Sequence, residues 1–216
     1  MFITFEGPEG SGKTTQARLL ADWLRVHGRE IALSREPGGT PIGDQIRSVL
    51  HDPANTAMDA RTEILLYAAS RAQHVAERIQ PALAEGKIVI CDRYADSTLA
   101  YQGYGRGLDL GMLQTIMVFA TGGLQPDMTI YLDITPKEGL RRRQIGGDEW
   151  NRLDAEPLRF HERVQAGYRE LVRQEPQRWV VVDGARSVEE VHTEVIGAVR
   201  ARLEAVETGF IGPAHR

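Results

Sequence analysis

The segment Gly7-Pro8-Glu9-Gly10-Ser11-Gly12-Lys13-Thr14 fits the pattern G-x-x-x-x-G-K-[ST], which is typical of loops that bind phosphate groups. It follows an alternating apolar stretch at residues 2–5, which predicts a strand, and it begins an amphipathic run at residues 14–27, which predicts a helix. The glycines let backbone amides turn toward phosphate oxygens, Lys13 carries a compact positive charge, and the Thr14 hydroxyl can ligate magnesium. The sequence therefore predicts a site for a nucleoside triphosphate, formed by this segment and Thr15.

Composition limits the class of protein. The chain has 216 residues, of which 42% are hydrophobic, so it can bury one substantial core without a second domain. Its net charge of −4 leads us to expect no nucleic-acid or membrane partner. No apolar run approaches the ~20 residues of a membrane span, and no leader-like segment begins the sequence. The single cysteine, Cys91, suits a reducing compartment, so we expect a cytoplasmic protein.

Strand-like and helix-like patterns alternate along the chain. A final helix is predicted near 187–205, and strands are predicted at 2–6, 30–34, 87–91, 128–133 and 179–183. The alternation predicts an α/β fold with a parallel sheet and helices on both faces. We expect one domain over residues 1–206 and a flexible tail at 207–216. Pro81 interrupts a long helical pattern from 58 to 85, which predicts a kink or a break there.

A phosphate loop alone does not distinguish a kinase from a switch GTPase or a motor ATPase. Guanine selection in GTPases uses an Asn-Lys-x-Asp segment. The two asparagines of this chain, Asn55 and Asn151, are followed by Thr56 and Arg152 instead. The sequence therefore argues against a guanine switch, and the remaining segments must decide the activity.

Two further strands are followed by polar segments at the sheet edge where ligands of parallel α/β sheets bind. Glu36 and Pro37 follow the second strand, although taken alone they are equally consistent with an ordinary turn. The third strand ends in Asp92 and Arg93. An arginine there can grip a second phosphate with its bidentate fork while Asp92 organises magnesium, although the pair could also simply fix the strand end.

Two helical segments carry polar side chains on a common face. If residues 95–102 are helical, the i,i+4 spacing brings together two pairs, Ser97 with Tyr101 and Thr98 with Gln102. Hydroxyl, phenol and amide groups would then converge on a compact polar ligand.

Tyr67 and Arg71 are also spaced i,i+4 on the long helix. An aromatic ring can stack on a flat base while a neighbouring guanidinium donates to the edge of the base or to a phosphate. The alternative is that Tyr67 belongs to the core and Arg71 to solvent.

Together these segments resemble the thymidylate kinases, which phosphorylate dTMP with ATP. The resemblance rests on F-E-G-P-E-G-S-G-K-T-T-Q at 5–16, R-E-P-G-G-T at 35–40, L-L-Y-A-A-S-R-A-Q-H at 65–74, D-R-Y-x-x-S-T-x-A-Y-Q-G at 92–103 and N-R-L-D at 151–154. It implies the P-loop nucleoside monophosphate kinase fold with five parallel strands, magnesium-dependent phosphoryl transfer in dTTP synthesis, and a homodimer. One departure is Ser70, where the family usually carries Asp.

The resemblance also implies residue roles. ATP phosphates would bind Gly7 to Thr14, and thymine would lie against Tyr67. Arg93 would hold the acceptor phosphate, Tyr101 would lie under the deoxyribose where a ribose 2′-hydroxyl collides, and Glu9 would contact the 3′-hydroxyl. Base-edge contacts would come from Arg71, Thr98 and Gln102. The predicted substrate-binding set is Glu9, Glu36, Pro37, Tyr67, Arg71, Arg93, Ser97, Thr98, Tyr101 and Gln102.

The segment 141–152 resembles the mobile lid of these kinases. In the bacterial form the phosphate loop lacks an arginine at the position of Gly10, and the lid supplies the charge. The middle of the lid, 146–149, is acidic in this chain. We predict that Arg142 lies nearer the adenine, as does the turn at 183–186, and that the catalytic groups are Lys13, Asp92, Arg93, Arg143 and Arg152.

The predicted reaction is direct in-line transfer without a phospho-enzyme. Magnesium, held with the ATP phosphates by Thr14 and Asp92, is the expected cofactor, because the six histidines and one cysteine show no metal-ligand spacing. Two alternatives remain open at this stage. One is a kinase for another pyrimidine monophosphate such as dUMP, and the other is a P-loop regulatory module that binds ATP.

Overall fold

The computed structural model describes residues 1–146 and 150–208. Its strands are β1 (Phe2–Glu6), β2 (Ile31–Arg35), β3 (Ile88–Asp92), β4 (Met128–Asp133) and β5 (Trp179–Asp183). All pairings are parallel, and the order across the sheet is β2-β3-β1-β4-β5. The central strands are buried on both faces, which explains their nearly continuous apolar runs. Three predicted strands are confirmed as they stand, and β2 and β3 begin and end one residue later than predicted.

Helices cover both faces of the sheet. They are α1 (Lys13–Val26), α2 (Pro41–His51), α3 (Ala60–His74), α4 (Gln80–Ala84), α5 (Ala95–Thr98), α6 (Leu110–Thr121), α7 (Pro136–Ile145), α8 (Leu158–Gln174) and α9 (Val188–Glu207). On one face α1 and α9 pack on the sheet through side chains such as Leu20 and Val195. On the other face, α8 covers Tyr131 of β4 through Tyr168, whose ring stacks on it at 5.2 Å.

Two helical regions widen into π-helical turns. The chain stays helical from α3 through Val75–Ile79 to α4, and the widened segment ends just before Pro81. The expected interruption therefore begins before the proline, which lies in the first turn of α4 where its missing N–H is tolerated. The second widened segment, Leu99–Gly105, continues α5, so the predicted helix over 95–102 forms with altered spacing.

At the carboxyl end of the chain, α9 begins with a capping box in which Ser187 and Glu190 satisfy each other's backbone N–H groups. It runs to Glu207, one residue into the predicted tail. The rest of that tail from residue 209 onward lies outside the described residues. Within the described part of the chain, no helix is long and apolar enough to cross a membrane.

Candidate active site

A cleft of about 820 Å³ opens at the carboxyl edge of the sheet, where the loops after β1, β2 and β3 meet the lid helix α7. Most predicted site residues line it: Glu9, Gly10, Gly12, Lys13, Thr14, Thr15, Glu36, Pro37, Tyr67, Arg71, Asp92, Arg93, Ser97, Thr98, Tyr101, Gln102, Arg142 and Arg143. The remaining phosphate-loop residues, Gly7, Pro8 and Ser11, are not among the residues that line the cleft, but all three accept hydrogen bonds from Lys13. The cleft therefore lies at the sheet edge that the strand pattern predicted.

The phosphate loop has the backbone that its glycines predict. Gly10 adopts φ +69°, and a Cβ there would lie 2.1 Å from the carbonyl oxygen of Gly139 on α7. The Lys13 ammonium donates to the carbonyls of Gly7 and Pro8 at 3.0 and 2.8 Å. Burial, and next to it the charge of Arg93, lower the pKa of Lys13 to about 8. The loop thus packs tightly on the lid helix and holds its lysine over its own backbone.

The predicted magnesium ligands lie side by side. The Thr14 hydroxyl, at the start of α1, donates a hydrogen bond to the Asp92 carboxylate, because β1 and β3 are neighbours in the sheet. Magnesium keeps several waters and takes phosphate oxygens, so two protein oxygens of this kind fit its needs. Among residues 1–146 and 150–208, no cluster of three or more His, Cys, Asp or Glu side chains could hold a metal ion by itself. The pair therefore suits an ion that arrives with a nucleotide.

Arg93 is the centre of a hydrogen-bond network. Its backbone adopts φ +72°, a conformation uncommon for residues other than glycine and typical of functional sites. One guanidinium nitrogen donates to the Gly7 carbonyl and the Ser97 hydroxyl, both at 3.1 Å. The other donates to Glu9 at 2.7 Å and to the Tyr101 hydroxyl at 3.0 Å. The fork is thereby aimed at the cleft directly beside the phosphate loop.

Glu9 and Tyr101 form one unit with this arginine. The Tyr101 hydroxyl donates to Glu9 at 2.9 Å. Burial opposes ionisation of Glu9, but the charges of Arg93 and Lys13 outweigh it and lower the pKa to about 2. The residues predicted to contact the 3′-hydroxyl and the sugar ring therefore hold each other in place.

Glu6, which sequence reasoning did not single out, supports the same network from the end of β1. It accepts hydrogen bonds from the Tyr94 amide at 2.8 Å, the Ser97 hydroxyl at 2.5 Å and the Tyr168 hydroxyl at 2.9 Å. Burial, and secondly the nearby charge of Asp96, raise its pKa to about 7. The one sequence signal was a carboxylate ending an otherwise apolar strand.

The predicted base pocket is built on a buried arginine. Arg71 is 2% exposed and donates to Glu36 at 2.7 Å, to the Thr98 hydroxyl at 2.9 Å and to the Tyr94 carbonyl at 3.0 Å. Burial opposes ionisation of Glu36, but the Arg71 charge lowers its pKa. The alternative that placed Arg71 in solvent is wrong, whereas Tyr67 belongs to the core and also lines the cleft.

Ser70, which stands where the family usually has Asp, has a defined task in this chain. Its hydroxyl accepts a hydrogen bond from the Gly38 amide at 3.0 Å and is fully buried. It therefore fixes the loop after β2 without an ion pair.

The three lid arginines with predicted roles, Arg142, Arg143 and Arg152, have different environments. Arg142 donates to the carbonyls of Gly184 and Ala185 in the turn after β5, the region predicted to lie near adenine. Arg143 lines the cleft and forms an ion pair with buried Asp154 at 2.7 Å. Of the acidic middle of the lid, 146–149, residues 147–149 lie outside the described residues.

Arg152 differs from the other two. It is buried, does not line the cleft, and donates to the Leu50 carbonyl at 3.2 Å while pairing with Glu63. These buried contacts fix the end of the lid to the body of the protein. The catalytic role predicted for Arg152 finds no support in this arrangement and stays a prediction.

Sequence reasoning also missed Arg47, which lines the cleft from α2. It donates to the Pro37 carbonyl at 3.0 Å, and burial together with the neighbouring charge of Arg35 lowers its pKa. No spacing rule distinguished it, because a single arginine on an amphipathic helix usually faces solvent. A guanidinium near another cation in a cleft is suited to an anion.

Known proteins with similar sequences and structures identify the family of this chain. A family model described as thymidylate kinase matches residues 5–195. A thymidylate kinase of Roseiflexus sp. (strain RS-1) is 54% identical over 210 residues, 92% of each chain. One of Bacillus pumilus (strain SAFR-032) is 50% identical over 205 residues, 94% of this chain and 97% of that one.

A crystal structure of thymidylate kinase from Ehrlichia chaffeensis superposes with a TM-score of 0.74 at 36% identity, covering 92% of this chain and 98% of that one. The predicted P-loop nucleoside monophosphate kinase fold is thereby confirmed, with its five parallel strands. The chain belongs to the thymidylate kinase family.

Proposed function

We propose that the protein phosphorylates dTMP to dTDP with ATP and magnesium, by direct in-line transfer, in the synthesis of dTTP. The observation that carries the proposal is the contact between Arg93 and the phosphate loop. A guanidinium suited to a second phosphate donates to the Gly7 carbonyl at 3.1 Å, so the two phosphate sites adjoin. Adjoining sites are what transfer between two nucleotides requires.

The proposed reaction forms no covalent intermediate with the protein. An acceptor phosphate is already a nucleophile, so positioning and charge stabilisation supply most of the catalysis and no strong base is needed. Lys13 and Arg93 flank the junction of the two sites, and Arg143 approaches it from the lid. Thr14 and Asp92 would hold magnesium, which neutralises charge on the phosphates when bound.

The base pocket supports a pyrimidine acceptor. The ring of Tyr67 and the side chains of Thr98 and Gln102 line the same cleft as Arg93. Tyr101, Glu9 and Arg93 form the hydrogen-bonded unit between that pocket and the phosphate loop, as a deoxyribose and its phosphate require. We therefore assign ATP to the loop and dTMP to the pocket.

A coupled assay of ADP release tests this assignment with dTMP, dUMP, dCMP, dGMP or no acceptor. We expect release that depends on dTMP and is much slower with the other nucleotides. Preference for another monophosphate would change the assigned acceptor. Release that is independent of any acceptor would identify an ATP-binding module with weak hydrolysis and overturn the kinase proposal.

A homodimer is the second part of the proposal. Apolar side chains are exposed along α2, α3 and α6, which pack in a row: Ile42 is 51%, Leu65 59%, Val118 59% and Phe119 90% exposed. Exposed apolar side chains on neighbouring helices are suited to a protein interface. Light scattering should give twice the chain mass, and Phe119→Glu should yield monomer. A monomeric wild-type protein at micromolar concentration would contradict it.

A further inference from the structure

Glu63 on α3 is 1% exposed and has no part in the chemistry described above. Its carboxylate nevertheless joins two functional regions. One oxygen accepts from the Gln102 amide nitrogen at 2.8 Å, and the other accepts from Arg106 at 3.1 Å and from Arg152. Gln102 belongs to the predicted base pocket, whereas Arg152 lies at the far end of the lid. A single buried carboxylate thus connects both.

The surroundings keep this carboxylate ionised. Burial opposes the charge, but hydrogen bonds and charges from Arg106, with help from Gln102 and Arg152, lower the pKa of Glu63. Arg106 also pairs with Glu156 at 2.5 Å, so the cluster contains two cations and two anions. The charges balance within the cluster, which is the condition under which a buried carboxylate is tolerated.

An ionised carboxylate only accepts hydrogen bonds, so it dictates which end of the Gln102 amide faces it. The NH₂ group turns to Glu63, and the amide oxygen is left on the other side. Gln102 lines the cleft, and its oxygen makes no hydrogen bond with any of the residues that the structure describes. The pocket therefore receives a fixed acceptor at this position.

A fixed hydrogen-bond acceptor at this position would distinguish the pyrimidine bases by the group at ring position 3. Thymine and uracil carry an N–H at ring position 3, which can donate to an amide oxygen. Cytosine carries a lone pair at that position, which would face the same oxygen without a proton between them. Sites that leave a buried polar group unpaired in this way reject the wrong ligand more strongly than sites that merely lose an apolar contact.

We propose that Glu63 is a positioning residue that fixes the Gln102 amide with its oxygen toward the base, so that the pocket accepts thymine or uracil and rejects cytosine. The proposal rests on dTMP binding at this pocket, as proposed above. The contact with Arg152 fixes the end of the lid to the same carboxylate, which gives that arginine a structural task.

The variant Glu63→Gln tests the proposal, because an amide at position 63 can donate as well as accept and frees Gln102 to turn over. Calorimetric Kd values for dTMP and dCMP give the discrimination. We expect the ratio of the two Kd values to fall at least ~10-fold, with the Kd of an ATP analogue changed less than ~2-fold. An unchanged ratio in the folded variant would overturn the proposal.

Glu156→Gln is the matched control. It removes one charge from the same cluster but leaves the bond between Glu63 and Gln102 untouched, so the ratio should stay at the wild-type value. If this variant lowers the ratio as much as Glu63→Gln does, the effect belongs to the cluster as a whole and the proposal fails.

Gln102→Asn keeps every ion pair and withdraws the amide from Glu63 by one methylene, so it serves even if Glu63→Gln does not fold. We expect the same loss of discrimination, and full retention would contradict the proposal. In the double variant Glu63→Gln/Gln102→Asn the losses should not add, because both act through one amide. Additive losses would show that Glu63 acts by another route. Failure of wild-type dTMP turnover, by contrast, would count against the proposed function itself.

Discussion

The two sides of the cleft differ in the chemical groups that line them. On the side that we propose for the donor, eight consecutive residues, Gly7–Thr14, present mainly backbone groups, and one side chain, Lys13, lies across them. On the other side, Arg93 contacts Tyr101 and Tyr168 from two separate segments, and it also donates to Glu9 of the loop. The donor side therefore depends on local backbone shape, whereas the acceptor side depends on side chains that tertiary packing brings together. Substitutions should affect the two sides differently.

The largest effect is expected on the donor side. Lys13→Ala removes the one cationic side chain of the loop, so dTMP phosphorylation should fall at least ~100-fold, because a preorganised charge at the transferring group is worth several kcal/mol. The measurement is kcat with saturating substrates, and Lys13→Met controls for lost volume. Near-normal activity in a folded variant would contradict the assignment of this loop.

Arg93→Ala should produce the next largest effect, and this effect should fall on the kinetic constants for dTMP rather than on those for ATP. Losing charge-assisted hydrogen bonds worth about 1.5–3 kcal/mol should lower kcat/KM for dTMP roughly 10- to 100-fold while changing the KM for ATP little. Arg93→Lys keeps the charge without the fork and should recover only part of the loss. A rise in the KM for ATP alone would mean that the two substrates are assigned to the wrong sides.

Tyr101→Ala should have a smaller and more selective effect. The preference for dTMP over its ribonucleotide counterpart should narrow roughly tenfold, because the ring no longer blocks a 2′-hydroxyl. Tyr101→Phe keeps the ring but removes the hydroxyl that donates to Glu9 at 2.9 Å, so comparing kcat/KM ratios in both variants separates the two contributions. If neither variant changes the ratio, sugar selection lies elsewhere and Tyr101 is a packing residue.

The last effect concerns stability rather than activity, and it arises from the pH dependence of Glu6 at the end of β1 and Glu9 in the phosphate loop. The pKa of Glu6 is raised to about 7, so its contribution to stability is present below its ordinary value of 4.5 and is lost as pH rises through 7. The pKa of Glu9 is lowered to about 2, so its contribution is present above 4.5 and is lost as pH falls toward 2.

Thermal unfolding of wild type, Glu6→Gln and Glu9→Gln between pH 3 and 8 measures this contrast. Relative to Glu6→Gln, the wild-type free energy of unfolding should decline by roughly 2–3 kcal/mol between pH 4.5 and 7. Relative to Glu9→Gln, it should hold steady over that window and decline only in more acidic solution. Parallel curves for all three proteins would contradict the opposite shifts.

Local patterns in the sequence were sufficient for much of the fold and site. Strand positions followed from apolar runs, and the phosphate loop from its glycines and lysine. The pairs Ser97 with Tyr101 and Thr98 with Gln102 reach the cleft as their spacing predicted, although the helix that carries them widens after Thr98. These features succeed because backbone geometry and periodic burial act over a few residues.

Other features depended on contacts between distant segments. Arg152 pairs with Glu63, which is 89 positions away in the chain, and Tyr168 reaches Glu6 across 162 positions. No sequence periodicity predicts such partners, because they depend on how α3, α8 and the lid pack around the sheet. The sequence by itself thus determined the sheet, the phosphate loop and the set of polar side chains at its edge. Tertiary structure alone decided which charges face the cleft and which are buried as anchors, because a buried charge must find its partner wherever packing places one.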